Sequence, residues 1–359
     1  MKISIIVGTR PEIIKMSPII RECKNRALDY FILHTSQHYS YTMDQVFFEQ
    51  LELPQPKYNL DVGSGMHGEQ TGKILIGIEK VLLKEKPDVV LVEGDTNTVL
   101  AGALAASKLH IKIGHVEAGL RSYDRNMPEE INRVLTDHCS DFLFAPTEKS
   151  KQILLEEGIP ENKIYVTGNT IVDAVHQNLE LAYKKQNILE RLGLRPQEYF
   201  LVTIHRQENV DDRIRFQLIL QGLEQINKKY GYPVVYPIHP RSQKMIKEFN
   251  FESDGIDFIK PADFLEFLQL ENNAKVVLTD SGGVQEETCI LGKPCVTLRD
   301  NTERLETLDV GSNLLAGVKP NKIEECVSMM VDNTKKWDNP FGDGKAGSKI
   351  INIMEEKLL

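Results

Sequence analysis

Short apolar, β-branched runs recur along the chain with helix-period stretches between them, and this alternation narrows the available folds more than any other feature. In the first half the runs are KISIIVG (2–8), YFILHTSQH (30–38), PDVVLVEGD (87–95), IKIGHVEAG (111–119), DFLFAPT (141–147) and KIYVTGN (163–169). In the second half they are YFLVTIH (199–205), YPVVYPIH (232–239), GIDFIK (255–260), AKVVLTD (274–280) and KPCVTL (293–298). Runs that are apolar throughout, rather than alternating, indicate strands buried on both faces, hence parallel sheets sandwiched by helices. The stretches between them, such as 68–86, 96–109 and 213–229, carry helical periodicity. At 359 residues the chain exceeds the size at which one core keeps growing. The expectation is α/β, two Rossmann-like doubly wound domains. The polar, helix-rich stretch 170–196 is the expected junction, giving domains 1–170 and 171–345. A terminal helix over 346–359 is expected to pack on the first domain.

The first strand ends in Gly8-Thr9-Arg10-Pro11-Glu12, not in the G-x-G-x-x-G of a dinucleotide site, and no tyrosine is followed four residues on by lysine. An NAD-dependent oxidative enzyme is therefore disfavoured and no cofactor is expected. A net charge of −9 argues against nucleic acid or an anionic membrane as partner, while leaving room for a small anion in a locally basic cleft. The cysteines, at 23, 139, 289, 295 and 326, are odd in number and lack a C-x-x-C, which suits free thiols in a reducing cytoplasm. Cys289 and Cys295 read as core packing. No apolar run approaches membrane-spanning length, and the N-terminal one is too short for a signal peptide. Histidines are scattered, and His115-x-Glu117 is too thin a basis for a metal site.

In an open parallel sheet, ligands bind beyond the carboxyl ends of the strands. Here those ends are polar: Thr9 to Glu12, Glu93 to Asn97, Glu117 to Arg121, His205 to Asn209, His239 to Arg241 and Asp280 to Gly283. Any one segment reads equally well as loop decoration; together, all on the same edge, they outline a site. Two such edges facing one another would form a deep cleft lined from both domains. In TDSGGVQEE (279–287) a buried strand stops at Asp280, and Ser281, Gly282 and Gly283 open a helix whose amides are free for an anion, with glycine admitting a phosphate close to the backbone. Glu286 and Glu287 either complement that helix dipole or accept hydrogen bonds from a ribose.

With these segments assembled, the sequence closely resembles the non-hydrolysing UDP-N-acetylglucosamine 2-epimerases, which share the two-domain GT-B architecture. The matching motifs are GTRPEIIKMSP (8–18), VEGDTNT (92–98), GHVEAGLRS (114–122), MPEEINR (127–133), HRQEN (205–209), TDSGGVQEE (279–287) and LRDNTERLET (298–307). The resemblance implies a UDP-sugar substrate and a homodimer. By motif, Arg10 and Lys15 would sit near the diphosphate, Ser281, Gly282 and Gly283 would meet the phosphates, and Glu287 the ribose. Arg304 would also lie near the nucleotide, Phe267 would contact uracil, and His205 would sit by the phosphates and sugar. The stretch 35–46 resembles one that binds a second, activating UDP-GlcNAc in bacterial relatives. Gln37, His38 and Gln45 match it, but Tyr39 and Ser40 stand where those relatives carry arginine and glutamate.

The hydrogen at C2 of the sugar is barely acidic, so the implied inversion requires loss of UDP from C1, giving 2-acetamidoglucal, with a carboxylate taking the proton. Inversion needs acid/base groups on two faces, and the first domain offers Asp95, Glu117 and Glu129, of which one should have a raised pKa. The structural alternatives are a helix cap for Asp95 and a salt bridge to Arg121 for Glu117. A glycosyltransferase on the same fold would not need these carboxylates. A hydrolysing epimerase, which releases free sugar, and a non-catalytic sugar-nucleotide sensor are the other rivals.

Overall fold

The computed structural model describes residues 1–36, 41–252, 254–333 and 336–358. They form two compact units, residues 1–177 with 341–359, and residues 178–340. The described strands are β1 (Lys2–Val7), β2 (Asp29–His34), β3 (Tyr58–Asn59), β4 (Val89–Glu93), β5 (Lys112–Val116), β6 (Phe142–Ala145) and β7 (Ile164–Val166) in the first unit. The second holds β8 (Phe200–Thr203), β9 (Val234–Pro237), β10 (Ile256–Ile259), β11 (Val276–Thr279), β12 (Cys295–Thr297) and β13 (Asn313–Leu315).

The first sheet runs in the order β3-β2-β1-β4-β5-β6-β7 and the second in the order β10-β9-β8-β11-β12-β13. Every strand pairing is parallel. Both are doubly wound, as the apolar runs require: a parallel strand must return through a crossover, and the crossover helices cover both faces. In β1, Ile5 lies opposite Ile32 of β2 and Leu91 of β4, and Ile3, Ile5, Ile6 and Val7 are fully buried. Each such side chain contributes about 1.5–3 kcal/mol when removed from water. The second unit has its own core, with Phe200, Val202, Val276, Leu278 and Val296 between the sheet and the helix Arg213–Tyr230.

In each unit the strand order reverses beside the first strand, so that the loops after β1 and β4, and after β8 and β11, diverge from a common crevice. That is where an open sheet binds its ligand. Gly8 ends β1 there, and any side chain on it would collide with Thr98 and come within 2.5 Å of the Thr35 hydroxyl. A glycine is what lets the chain turn into the helix Arg10–Asn25. That helix carries Pro18 in its interior; the carbonyl of Ile14, which a proline cannot reach, accepts the Ser17 hydroxyl at 2.8 Å instead. The terminal helix Ala346–Leu358 belongs to the first unit, where Gly347 lies against Pro18. None of the described helices is long and apolar enough to cross a membrane.

Candidate active site

At the switch point of the first unit, three glutamates and a lysine converge. Lys15, on the second turn of the helix Arg10–Asn25, donates to Glu117 at 2.5 Å and lies 3.3 Å from Glu93 at the end of β4. Asn169 also donates to Glu117, at 3.2 Å. Glu117 follows β5 with φ +70, a left-handed conformation strained for a residue with a Cβ. Its amide and that of Ala118 both donate to the Phe144 carbonyl, which holds the turn. Glu12 is buried and accepts from the Gly8 amide at 2.5 Å and the Thr96 hydroxyl at 2.6 Å.

Burial decides the protonation of these groups. It pushes Glu12 up to about 7 in spite of the hydrogen bonds from Thr96 and Gly8. It raises Glu93 well above the ordinary carboxylate range, with the neighbouring charges of Glu117 and Glu12 adding to the effect and Lys15 opposing it. Glu12 and Glu93 are raised carboxyls at this edge; they lay within the polar strand-end segments but were not among the expected acid/base residues.

Asp95 is held elsewhere on the same edge. It is ion-paired with Arg133, which also binds Glu130 at 2.7 Å, and Glu130 in turn accepts from Ser122 and Tyr123. Two structural alternatives drawn from the sequence are corrected here. The cap of the helix Asn97–Lys108 is Thr96, whose side chain accepts from the Thr98 amide, not Asp95. Arg121 pairs with Asp137 at 2.7 Å and Glu157 at 2.6 Å, not with Glu117. Glu129 is half-buried in the first turn of the helix Pro128–Cys139. His115 spans the Asp137 carboxylate at 2.6 Å and the Gly94 carbonyl at 2.9 Å, a bracing role between β5 and its neighbours. Arg10 is exposed, its guanidinium 5.7 Å from the Phe47 ring centre. Gln45 is half-buried on the helix Tyr41–Gln50, while Gln37 and His38 lie outside the described residues.

In the second unit the corresponding crevice centres on Asp280, which is fully buried. It receives the amides of His205 and Arg206, the Asn209 amide group at 3.1 Å and the His205 ring at 3.0 Å. Burial pushes its carboxyl up, but these contacts, His205 foremost, hold it below the ordinary range. The anchored imidazole remains nearly half exposed at the edge. Ser281 is the N-cap residue of the helix Gly282–Ile290, so Gly282 and Gly283 form its first turn. A side chain at Gly282 would come within 2.5 Å of Glu303. Arg304 lies 3.2 Å from Glu286, and Glu287 is buried one residue further along the same helix. Phe267, on the helix Phe264–Asn273, is half-buried against the apolar cluster that includes Leu270 and Val284. Such an edge offers an anion amides, arginines and an imidazole, and offers a polyol a buried carboxylate.

Among the described residues no group of histidines, cysteines and carboxylates has the arrangement of a metal site. All the cysteines are free, Cys289 and Cys295 buried.

Comparison with known proteins converges on one group. A family model described as UDP-N-acetylglucosamine 2-epimerase matches residues 21–355. A UDP-N-acetylglucosamine 2-epimerase of Methanocaldococcus jannaschii is 59% identical over 99% of both chains. A crystal structure of the Methanocaldococcus jannaschii UDP-GlcNAc 2-epimerase in complex with UDP-GlcNAc and UDP superposes with a TM-score of 0.86 and 59% identity, over 99% of this chain and 100% of that one. A UDP-2,3-diacetamido-2,3-dideoxy-D-glucuronate 2-epimerase of Pseudomonas aeruginosa is 43% identical over 99% of both chains.

Proposed function

Because the chain belongs to the UDP-N-acetylglucosamine 2-epimerase family, we propose that it interconverts UDP-N-acetylglucosamine and UDP-N-acetylmannosamine by eliminating UDP and adding it back. The observation that carries this reading is the cluster of Lys15, Glu93 and Glu117 at the switch point of the first unit. It places a lysine-paired carboxylate beside a carboxyl that burial raises well above its ordinary range, which suits a reaction that both removes and returns a proton.

The steps follow from the substrate. The C1–O bond breaks with its electrons going to the β-phosphate oxygen, and a carboxylate takes the C2 proton. The C2–H electron pair becomes the C1=C2 bond of 2-acetamidoglucal. Return of a proton to the opposite face of C2 and of the phosphate oxygen to C1 gives the epimer. Asp95, Glu117 and Glu129 are the acid/base candidates, with Glu93 as a proton reservoir for Glu117. The second unit holds the nucleotide. Ser281, Gly282 and Gly283 with the helix amides take the phosphates, joined by His205 and by Arg10 and Lys15. Glu287 takes the ribose, Phe267 the uracil, and Arg304 braces this edge. The departing diphosphate is stabilised by fixed donors, the largest single term available to such a site. The same reading includes a homodimer, checked by light scattering.

The test is turnover in heavy water followed by proton NMR. Deuterium at C2 of both epimers is expected, with no free N-acetylmannosamine accumulating; an unlabelled C2 at equilibrium sinks the elimination route. Glu117→Gln should lower turnover by about 10²-fold or more, the scale of general acid–base catalysis, while UDP still binds. The Pseudomonas aeruginosa relative is named for UDP-2,3-diacetamido-2,3-dideoxy-D-glucuronate, so that nucleotide sugar belongs in the same assay. Preferential turnover of it over UDP-N-acetylglucosamine would move the substrate assignment and leave the chemistry in place.

A further inference from the structure

One buried acid in the second unit has no part in the scheme above. Glu271, in the last turn of the helix Phe264–Asn273, is fully buried, and no N–H or O–H of the described residues reaches either of its carboxyl oxygens. What does lie within hydrogen-bonding reach is the carboxyl of Glu287, itself 9% exposed. Two carboxylates cannot both be ionised at that separation in a dry site, so the pair holds one proton.

We infer that Glu271 is a positioning residue for nucleotide binding: it carries the shared proton and donates it in a hydrogen bond to Glu287, fixing that carboxylate as a charged acceptor for the two ribose hydroxyls. The inference rests on the reading of Glu287 as the ribose ligand. The proton belongs on Glu271 because that carboxyl has no other donor and no access to water, whereas Glu287 sits closer to the surface. Burial, and then the charge of Glu287, raise the Glu271 carboxyl well above its ordinary range, in keeping with this. A protonated acid is the one carboxyl form that donates, so the neutral state of Glu271 and the ionised state of Glu287 support each other.

Helical geometry explains why this residue is placed to act so. Glu271 follows Phe267 by four residues, so both lie on one face of their helix. The face that presents the ring expected to meet uracil is therefore the face that braces the carboxylate expected to meet ribose. Among the described residues the charge of Glu271 also reaches Tyr199 and Cys295. Burial raises the Tyr199 hydroxyl and pushes the Cys295 thiol up to about 12, so neither brings a negative charge to the pair at neutral pH. Arg191, from the neighbouring helix Ile188–Leu192, is engaged 2.7 Å from Glu266.

The test is calorimetric binding of UDP and of 2′,3′-dideoxy-UDP to the full chain; their affinity ratio isolates the ribose hydroxyls from the phosphates and base. Removing one hydrogen bond to a charged group costs about tenfold or more in affinity. Glu287→Gln, which keeps an accepting oxygen but loses the charge, should lower the ratio about tenfold or more. Glu271→Leu should lower the ratio about tenfold, while Glu271→Gln, whose amide also donates, should keep it near the wild-type value. As pH is raised the wild-type ratio should fall where Glu271 ionises against Glu287, and the Glu271→Gln ratio should stay flat. A ratio preserved in Glu287→Gln overturns the ribose assignment and the role of Glu271 with it. A ratio lost in Glu287→Gln but unchanged in Glu271→Leu overturns the role of Glu271 alone. Should the leucine variant not fold, an alkaline fall in Glu271→Gln equal to that of the wild type overturns that role equally.

Discussion

Single residues at the edge of the first sheet behave according to how deeply each is buried and which charge it meets. Glu12 is the clearest case, a carboxyl raised to about 7 whose hydrogen bonds do not repay its desolvation. The folded chain therefore keeps a proton that the unfolded chain gives up near its ordinary value of 4.5. Stability from this group is full below about pH 4.5 and is lost as pH rises to about 7, by up to about 3 kcal/mol. Glu12→Gln should remove that loss: its urea midpoint should vary less between pH 5 and 8 than that of the wild type, as followed by circular dichroism. Sequence alone revealed that Glu12, Glu93, Asp95 and Glu117 stand at strand ends, because position within a strand–helix pattern is a local property. It could not reveal that Lys15 selects Glu117, since that pairing spans 102 residues. Arg121, four residues away, was the structural alternative as its partner, and it pairs instead with Asp137 and Glu157.

Among the elements, those with strong periodicity were legible and those held by their neighbours were not. The stretch 96–109 is the helix Asn97–Lys108, and 213–229 is Arg213–Tyr230. By contrast β3 is a two-residue edge strand and β13 a three-residue one, neither carrying an apolar run. They exist because an exposed sheet edge offers unpaired amides and carbonyls. The helix Phe264–Asn273 carries both Phe267 and Glu271, and its start is fixed by a capping box in which Asp263 accepts from the Glu266 amide and Glu266 reaches back. Asp263→Ala should destabilise the second unit by about 1 kcal/mol, seen as a lower urea midpoint with an unchanged slope.

At the scale of the whole molecule, one architecture appears twice, with the same order of the first strands and the crevice in the same place in each sheet. This was legible because the apolar runs simply repeat. Less so was the return of the chain: residues 341–359 complete the first unit after the second has been built. The buried Asp173 accepts the amides of Ala346 and Gly347 at 3.1 and 2.9 Å, Asn169 donates its amide to Phe341, and Arg26 binds Glu355 at 2.7 Å. Deleting 341–359 strips a buried carboxyl of its donors and bares the flank of the helix Arg10–Asn25. The truncated chain should be recovered in the insoluble fraction, or lose its protease resistance over 1–177 while keeping it over 178–340.

That late return sets a timetable on the ribosome. Residues 1–177 precede 178–340 in synthesis, yet the first unit lacks 341–359 until that segment leaves the exit tunnel, whereas 178–340 is continuous and free to condense as soon as it emerges. Nascent chains stalled so that residue 340 has left the tunnel while 341–359 has not, and probed by brief proteolysis, should therefore show the middle of the protein protected ahead of its beginning.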